Sequence, residues 1–138
     1  MTPAEQFLDT LARRDVDAAM ATVAEDASVT VHALGIEDGD AADLRTVLDD
    51  LLTAFPDLLV TVRRVVVTGD VVTAELKLEG TQAADYAGAI NQEKHLDIDQ
   101  AWRFEVHDGR IAGVRAYLCG QQLLRRLGVK RFDQIAIA

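Results

Sequence analysis

The dipeptide Asp108-Gly109, set between two alternating segments, constrains the fold of this chain more than any other feature. Asp-Gly readily takes the two left-handed positions of a tight β-hairpin, so it fixes which residues oppose one another. Residues 95–106 and 110–118 are then paired strands. His107 opposes Arg110, Val106 Ile111, Phe104 Gly113, Trp102 Arg115, Gln100 Tyr117 and Ile98 Cys119. Side chains alternate across a strand. One face therefore carries Ile98, Gln100, Trp102, Phe104 and Val106 with Ile111, Gly113, Arg115, Tyr117 and Cys119. The other carries Asp97, Asp99, Ala101, Arg103 and Glu105 with Ala112, Val114, Ala116 and Leu118. The aromatic face is assigned to the interior and the charged face to solvent.

The remaining elements follow from periodicity. Thr2 and Pro3 open a helix whose Phe7, Leu8 and Leu11 share a face, and a second short helix from Asp15 carries Ala19, Met20 and Val23. Residues 27–33 alternate as a strand, with Val29 and Val31 on one side and Ser28, Thr30 and His32 on the other; a loop, GIEDGD, then leads to Asp40. From this N-cap a long helix runs through Leu44, Val47, Leu48, Leu51, Leu52 and Phe55 and stops at Pro56. Strands at 58–67 and 71–79 flank a turn at Thr68-Gly69-Asp70, and 80–93 form a loop resting over the sheet. A last short helix with Leu123, Leu124 and Leu127 closes at Gly128. The tail, 130–138, is left to pair with a sheet edge, cover a pocket or contact a second subunit. Helices first and strands in succession afterwards predict an α+β fold with a mostly antiparallel sheet, in one domain spanning 1–138.

Composition narrows the function. The chain has 138 residues and a net charge of −9, with its arginines scattered in pairs, which argues against nucleic-acid or anionic-membrane partners. Its lone cysteine, Cys119, excludes an internal disulfide and a multi-cysteine zinc site. No apolar run reaches membrane-spanning length and the N-terminus does not read as a signal peptide, so a cytoplasmic protein without metal or cofactor is expected.

Gln100, Trp102, Arg115 and Tyr117 on an otherwise apolar inner face suggest a small-molecule pocket, because buried polar groups need partners. The chain also resembles a family. AFPDL (54–58), TGDVV (68–72), Gly80-Thr81, Tyr86 and Gly88, DGRI (108–111) and LLRRLGV (123–129) follow in an order similar to that of the SnoaL-like polyketide cyclases. These belong to the wider nuclear-transport-factor-2-like superfamily. The resemblance implies a cone-shaped, curved, antiparallel-rich sheet packed with N-terminal helices. It also implies a homodimer with a pocket at the open end of the cone, and cofactor-free ring closure by an acid/base Asp. Counting along the last strand puts that Asp at Cys119, and the partner His is missing, since His95 and His107 only flank 96–106. Gln82 stands where many relatives place a His. A thiol is a poor substitute for a tuned carboxylate, and Cys119 reads as a small apolar residue of the core or the pocket wall.

The expected function is therefore a cyclase of natural-product biosynthesis that folds a polyketide-derived chain and polarises its carbonyl, through cycloaddition or a similar closure. Arg115, Gln100 or Tyr117 would polarise, and Trp102, Phe104, Cys119, His32 and Phe55 would line the pocket. The alternatives are a non-catalytic binding or dimerisation module, and an isomerase or epoxide hydrolase of the same superfamily. The hydrolase would use Asp97, Asp99, Arg103 and Glu105 only if the hairpin slipped by one residue.

Overall fold

The computed structural model describes residues 1–130, so the tail beyond Lys130 lies outside the described residues. Helix α1 (Pro3–Ala12) starts in a reciprocal cap: the Thr2 hydroxyl accepts from the Glu5 backbone N–H and the Glu5 carboxylate accepts from that of Thr2, both at 3.1 Å. Its Ala4, Phe7, Leu8 and Leu11 are buried. Helix α2 (Val16–Met20) is capped by Asp15 and ends before Val23, which begins strand β1 (Val23–Val31). The expected helix therefore loses Val23, and the expected strand gains four residues at its start.

His32–Leu34 form a 3-10 turn, and Gly35 (φ +73°) leads into β2 (Ile36–Gly39), which pairs antiparallel with β1. Sequence assigned a loop here. Glu, Asp and Gly have weak strand preference, and β2 exists because the β1 edge supplies its hydrogen bonds. Helix α3 (Ala41–Ala54) is capped as expected: the Asp43 carboxylate accepts from the Asp40 backbone N–H at 2.9 Å and the Asp40 carboxylate from that of Asp43 at 3.0 Å. Strands β3 (Leu59–Thr68), β4 (Val71–Thr81), β5 (His95–His107) and β6 (Arg110–Tyr117) precede α4 (Gly120–Arg126).

The six strands lie in the order β2-β1-β6-β5-β4-β3, with β1 parallel to β6 and every other neighbouring pair antiparallel. The inner face is filled. Val72, Ala74, Leu76 and Leu78 of β4 and Ile98, Trp102 and Phe104 of β5 are all buried. Phe7 of α1 meets Trp102 and Phe104 with ring centroids 5.9 and 5.5 Å apart. That contact closes the sheet against the helices and contributes more than plain area burial.

The Asp108-Gly109 turn forms as expected, with both residues at positive φ, and His107–Arg110 and Val106–Ile111 pair as derived. Beyond them the register shifts: Glu105 opposes Gly113, Phe104 opposes Val114, Trp102 opposes Ala116 and Ala101 opposes Tyr117. Ala112 is the extra residue of a β-bulge. The inner face therefore carries Val114 and Ala116, both buried, whereas Arg115 and Tyr117 project outward. This corrects the expected pairing of Trp102 with Arg115 and of Gln100 with Tyr117. The irregularity is matched across the sheet, where β1 gains residues between its Val23–Ile111 and Ser28–Gly113 pairs.

Deleting Ala112 removes the extra residue and leaves a regular hairpin with the same pairs beyond it, Phe104 with Val114 and Trp102 with Ala116. The expected result is a cooperative urea transition, followed by Trp102 fluorescence, like that of the parent protein; loss of cooperative unfolding would show that the sheet needs the bulge itself. Phe7→Ala should lower stability by about 3–5 kcal/mol in the same assay.

Candidate functional site

The inner face of the hairpin is core and not cavity. Trp102 and Phe104 are buried among Phe7, Val114 and Ala116, and the Trp102 indole N–H donates to Gln100 Oε1 at 2.8 Å. One buried donor is thereby satisfied within β5, with no need of a ligand. Open space lies elsewhere.

A partly enclosed cleft of about 530 Å³ lies between α3, the turn after β1, β2 and the loop joining β4 to β5. Helix α3 contributes Asp43, Thr46, Val47 and Asp50, residues three, four and seven apart that share a face beside the core stripe of Leu44, Leu48 and Leu51. Ala33, Leu34 and Ile36 form an apolar wall, and Tyr86 and Ala87 close the side opposite. A volume of this size with few polar groups suits a small organic molecule.

The loop that brings Tyr86 there is tied down at several points. Ala83 donates to the carbonyl of Ala54 at 2.7 Å, Gln82 to that of Lys94 at 2.9 Å, and the Gln82 side chain to that of Ala89 at 3.1 Å. Tyr86 and Ala89 exchange backbone hydrogen bonds across Ala87 (φ +51°) and Gly88 (φ +83°). Two consecutive left-handed residues make this the same kind of turn as at Asp108-Gly109. Alanine holds that conformation at a cost of about 1–2 kcal/mol, and such strain tends to gather at functional sites. Gln82 is buried, and among the described residues its Oε1 has no hydrogen-bond partner.

Tyr86 is 9% exposed, and its ring stands edge-on to Phe55 at 5.3 Å. Phe55 lies close against Gly80, where an added Cβ would come within 3.1 Å of it. Among the described residues the Tyr86 hydroxyl makes no hydrogen bond, and it opens on the cleft. Burial, with the Asp50 carboxylate adding to it, pushes the phenol up to about 12. Tyr86 is thus a protonated donor throughout the neutral range. Asp50 itself makes no hydrogen bond or ion pair among the described residues.

The residues anticipated for the site are scattered. Phe55 is fully buried behind Tyr86 and supports it from the core side. His32 is exposed next to Ala33 at the cleft rim, with Nδ1 3.2 Å from Glu37 Oε1. Gln100, Tyr117 and Cys119 do meet, but in a wider cleft of about 720 Å³ that also touches Arg63, Glu75 and Asp99. Tyr117 is 44% exposed there. Cys119 is exposed and caps α4, its Sγ accepting from the Gln122 N–H at 3.4 Å, so it is not a core residue. A short helix needs a polar atom at its start, and this one finds it in the thiol. Arg115 is exposed on the outer face, opposite Arg103 and beside the Arg103–Glu105 ion pair at 2.6 Å. Asp97, Asp99, Arg103 and Glu105 face outward, as the hairpin pattern predicted.

Sequence reasoning passed over Tyr86, Asp43 and Asp50 as site residues. The available signal was the Asp43, Val47, Asp50 spacing, a polar edge running beside the core stripe of α3.

The Tyr86 environment is open to a stability measurement. An unfolded tyrosine loses its proton near 10, while folded Tyr86 holds it to about 12. Its contribution is complete below pH 10 and is lost as pH rises toward 12, by roughly 2–3 kcal/mol. Tyr86→Phe should abolish that alkaline decline in chemical denaturation; a decline of equal size in the variant would place the titrating group elsewhere.

Comparison with known proteins agrees with this architecture. The family model described as a SnoaL-like domain matches residues 4–114. A SnoaL-like candidate polyketide cyclase from a Jannaschia species superposes with a TM-score of 0.81 at 18% identity, covering 94% of this chain and 91% of its own. AclR of Streptomyces galilaeus, a candidate hydroxylase, gives 0.80 at 18% identity with 91% and 92% covered. IdmH of Streptomyces antibioticus, a candidate polyketide cyclase, gives 0.78 at 22% identity with 92% and 96% covered. Further matches carry the ketosteroid-isomerase-like and nuclear-transport-factor-2-like fold names, so the expected α+β fold with a curved sheet and N-terminal helices is the observed one. No curated protein matches by sequence. With four-fifths of its length matched by the family model, this chain is a member of the SnoaL-like domain family.

Proposed function

We propose that the protein is a cofactor-independent cyclase of natural-product biosynthesis, acting on a polyketide-derived small molecule in the cleft between α3 and the Tyr86 loop. The observation that carries this reading is the Tyr86 phenol, about nine-tenths buried against Phe55 and unbonded among the described residues, which lines a cleft together with apolar walls and the exposed Asp50 carboxylate. Carbonyl polarisation, assigned from sequence to Arg115, Gln100 or Tyr117, moves to Tyr86. Its O–H donates to a substrate carbonyl oxygen, and that bond strengthens as negative charge develops there.

Asp50 supplies the base. Its carboxylate takes a proton from the carbon between two carbonyls, and the resulting enolate is held by Tyr86. The enolate carbon attacks a second carbonyl of the folded chain, forming the ring C–C bond and breaking that carbonyl's π bond. The proton on Asp50 then passes to the new alkoxide. Ala33, Leu34, Ile36 and Val47 hold the chain in its folded form against the wall of the cleft. A carboxylate on α3 would thus take the place of the one that the resemblance led us to expect at Cys119.

The SnoaL-like family membership and the candidate cyclases among the similar structures support the reaction class. The homodimer implied by the resemblance belongs to the same proposal. Leu59, Val66 and Tyr117 on the outer face of the sheet are exposed and available to bury, and light scattering in solution measures the mass.

The test is turnover of a linear poly-β-ketone thioester, followed by mass spectrometry and the absorbance of the cyclised product. Tyr86→Phe should lower kcat about 100-fold or more, as loss of one positioned donor does, and Asp50→Asn should lower it comparably. Activity retained in Tyr86→Phe but lost in Tyr117→Phe would move the chemistry to the outer cleft. Absence of turnover with any polyketone would remove the enzyme reading.

A further inference from the structure

We propose that the same cleft selects a ligand carrying a positively charged nitrogen, an ammonium group on an otherwise apolar skeleton. This inference rests on the reading of that cleft as the functional site, and it names the class of molecule the site accepts.

The polar groups of the wall are all acceptors or neutral. Asp43, Asp50, Thr46 and Tyr86 line the cleft, and among the described residues no Lys, Arg or His does. Between residues 36 and 50 the chain has six carboxylates, Glu37, Asp38, Asp40, Asp43, Asp49 and Asp50, against a single Arg45. Arg45 is engaged elsewhere, its guanidinium 2.8 Å from Asp17. His32, at the rim, is paired with Glu37. Asp43 and Asp50 are exposed at the mouth of the cleft, and a mouth lined by one sign of charge draws cations and repels anions.

The start of α3 could in principle favour the opposite sign, because free N–H groups at a helix start bind anions. Here that end is already capped: Asp40 Oδ1 accepts from the Asp43 N–H and Asp43 Oδ2 accepts from the Asp40 N–H. Asp43 has spent one oxygen on the cap. Asp50, two turns further along and about 10 Å away by helical rise, has spent neither. The apolar wall of Leu34, Ile36 and Val47 lies within the same cleft. A cationic head at Asp50 with an apolar body along that wall would complement the surface.

Tyr86 is the independent observation. The phenol is 9% exposed and makes no hydrogen bond among the described residues, and its oxygen still reaches the cleft, so a ligand that displaces water there must supply that bond. Its oxygen can accept from an ammonium N–H or donate to a carbonyl on the same ligand, and its ring can face the cation. A carboxylate ligand would gain one hydrogen bond from Tyr86 and meet two like charges. An uncharged ligand would leave Asp50 facing apolar surface.

The test uses the full chain and three probes with one skeleton: 4-phenylbutylamine, 4-phenylbutan-1-ol and 4-phenylbutanoate, titrated by amide chemical shifts. The amine should bind about 10-fold more tightly than the alcohol, and the butanoate weakest. Shifts should centre on Thr46, Val47, Asp50 and Ala87. Asp50→Asn should bring the amine down to the affinity that the same variant shows for the alcohol, and Asp43→Asn should reduce the preference by a smaller factor. Equal affinities, tighter binding of the butanoate, or amine shifts spread over the acidic surface without saturation would each overturn the proposal, as would no binding of the amine. The two readings fail separately. Turnover of an uncharged polyketone with no amine preference removes the cation and keeps the cyclase. Amine preference without turnover of any polyketone does the reverse.

Discussion

A single inserted residue decides what this sheet encloses. The Ala112 bulge moves β6 by one position relative to β5 and so exchanges its two faces: Val114 and Ala116 turn inward, Arg115 and Tyr117 outward. With small apolar residues opposite Trp102 and Phe104, Phe7 of α1 can pack directly on both rings. The centre of the sheet becomes solid core. Without the bulge, a guanidinium and a phenol would lie under α1, and each would need a partner that the apolar face does not provide. Among the described residues, open clefts lie away from that centre, one where α3, β2 and the Tyr86 loop meet and a wider one beside Gln100, Tyr117 and Cys119.

That displacement separates support from chemistry. Phe55, at the C-terminal end of α3, packs tightly beside Gly80 and presents its ring to Tyr86, so the phenol is held from behind by the core. The loop is fixed by hydrogen bonds to the end of α3 and to the start of β5. Its tip is a tight turn with an alanine in the left-handed region. The donor therefore stands on a rigid platform, while Asp50 comes from a different element across the cleft. Positioned groups of this kind act through orientation more than through strength.

Much of the fold was legible because apolar periodicity is strong in α1, α3, β4 and β5, where each alternating or helical set proved to be the buried one. Turns and caps were legible for a local reason: Thr2, Asp15, Asp40 and Asp108-Gly109 act on residues within four positions. The misreading of β6 came from carrying the register of a perfect hairpin past its first two pairs. The strand's own pattern argued otherwise, since Val114 and Ala116 alternate with Arg115 and Tyr117. Reconciling that pattern with β5 requires one extra residue, and Gly113 inside the strand was the hint of it. β2 was missed because its strand character comes from its neighbour.

The candidate site was less legible than the fold. Chemistry was sought on the strand that the family resemblance pointed to, and Cys119 there turned out to be a helix cap. Tyr86 lies in a segment without periodicity, and Asp50 reads in sequence as a solvated helix residue. Only three-dimensional proximity gives either one a role. The measurement that tests the central claim most directly is a crystal structure of the protein with a non-cyclising poly-β-ketone analogue. The account predicts the ligand between α3 and the Tyr86 loop, with a carbonyl oxygen accepting from the Tyr86 hydroxyl and the Asp50 carboxylate against the acidic carbon. A ligand seated instead among Gln100, Tyr117 and Cys119, with the Tyr86 cleft filled by water, would contradict it.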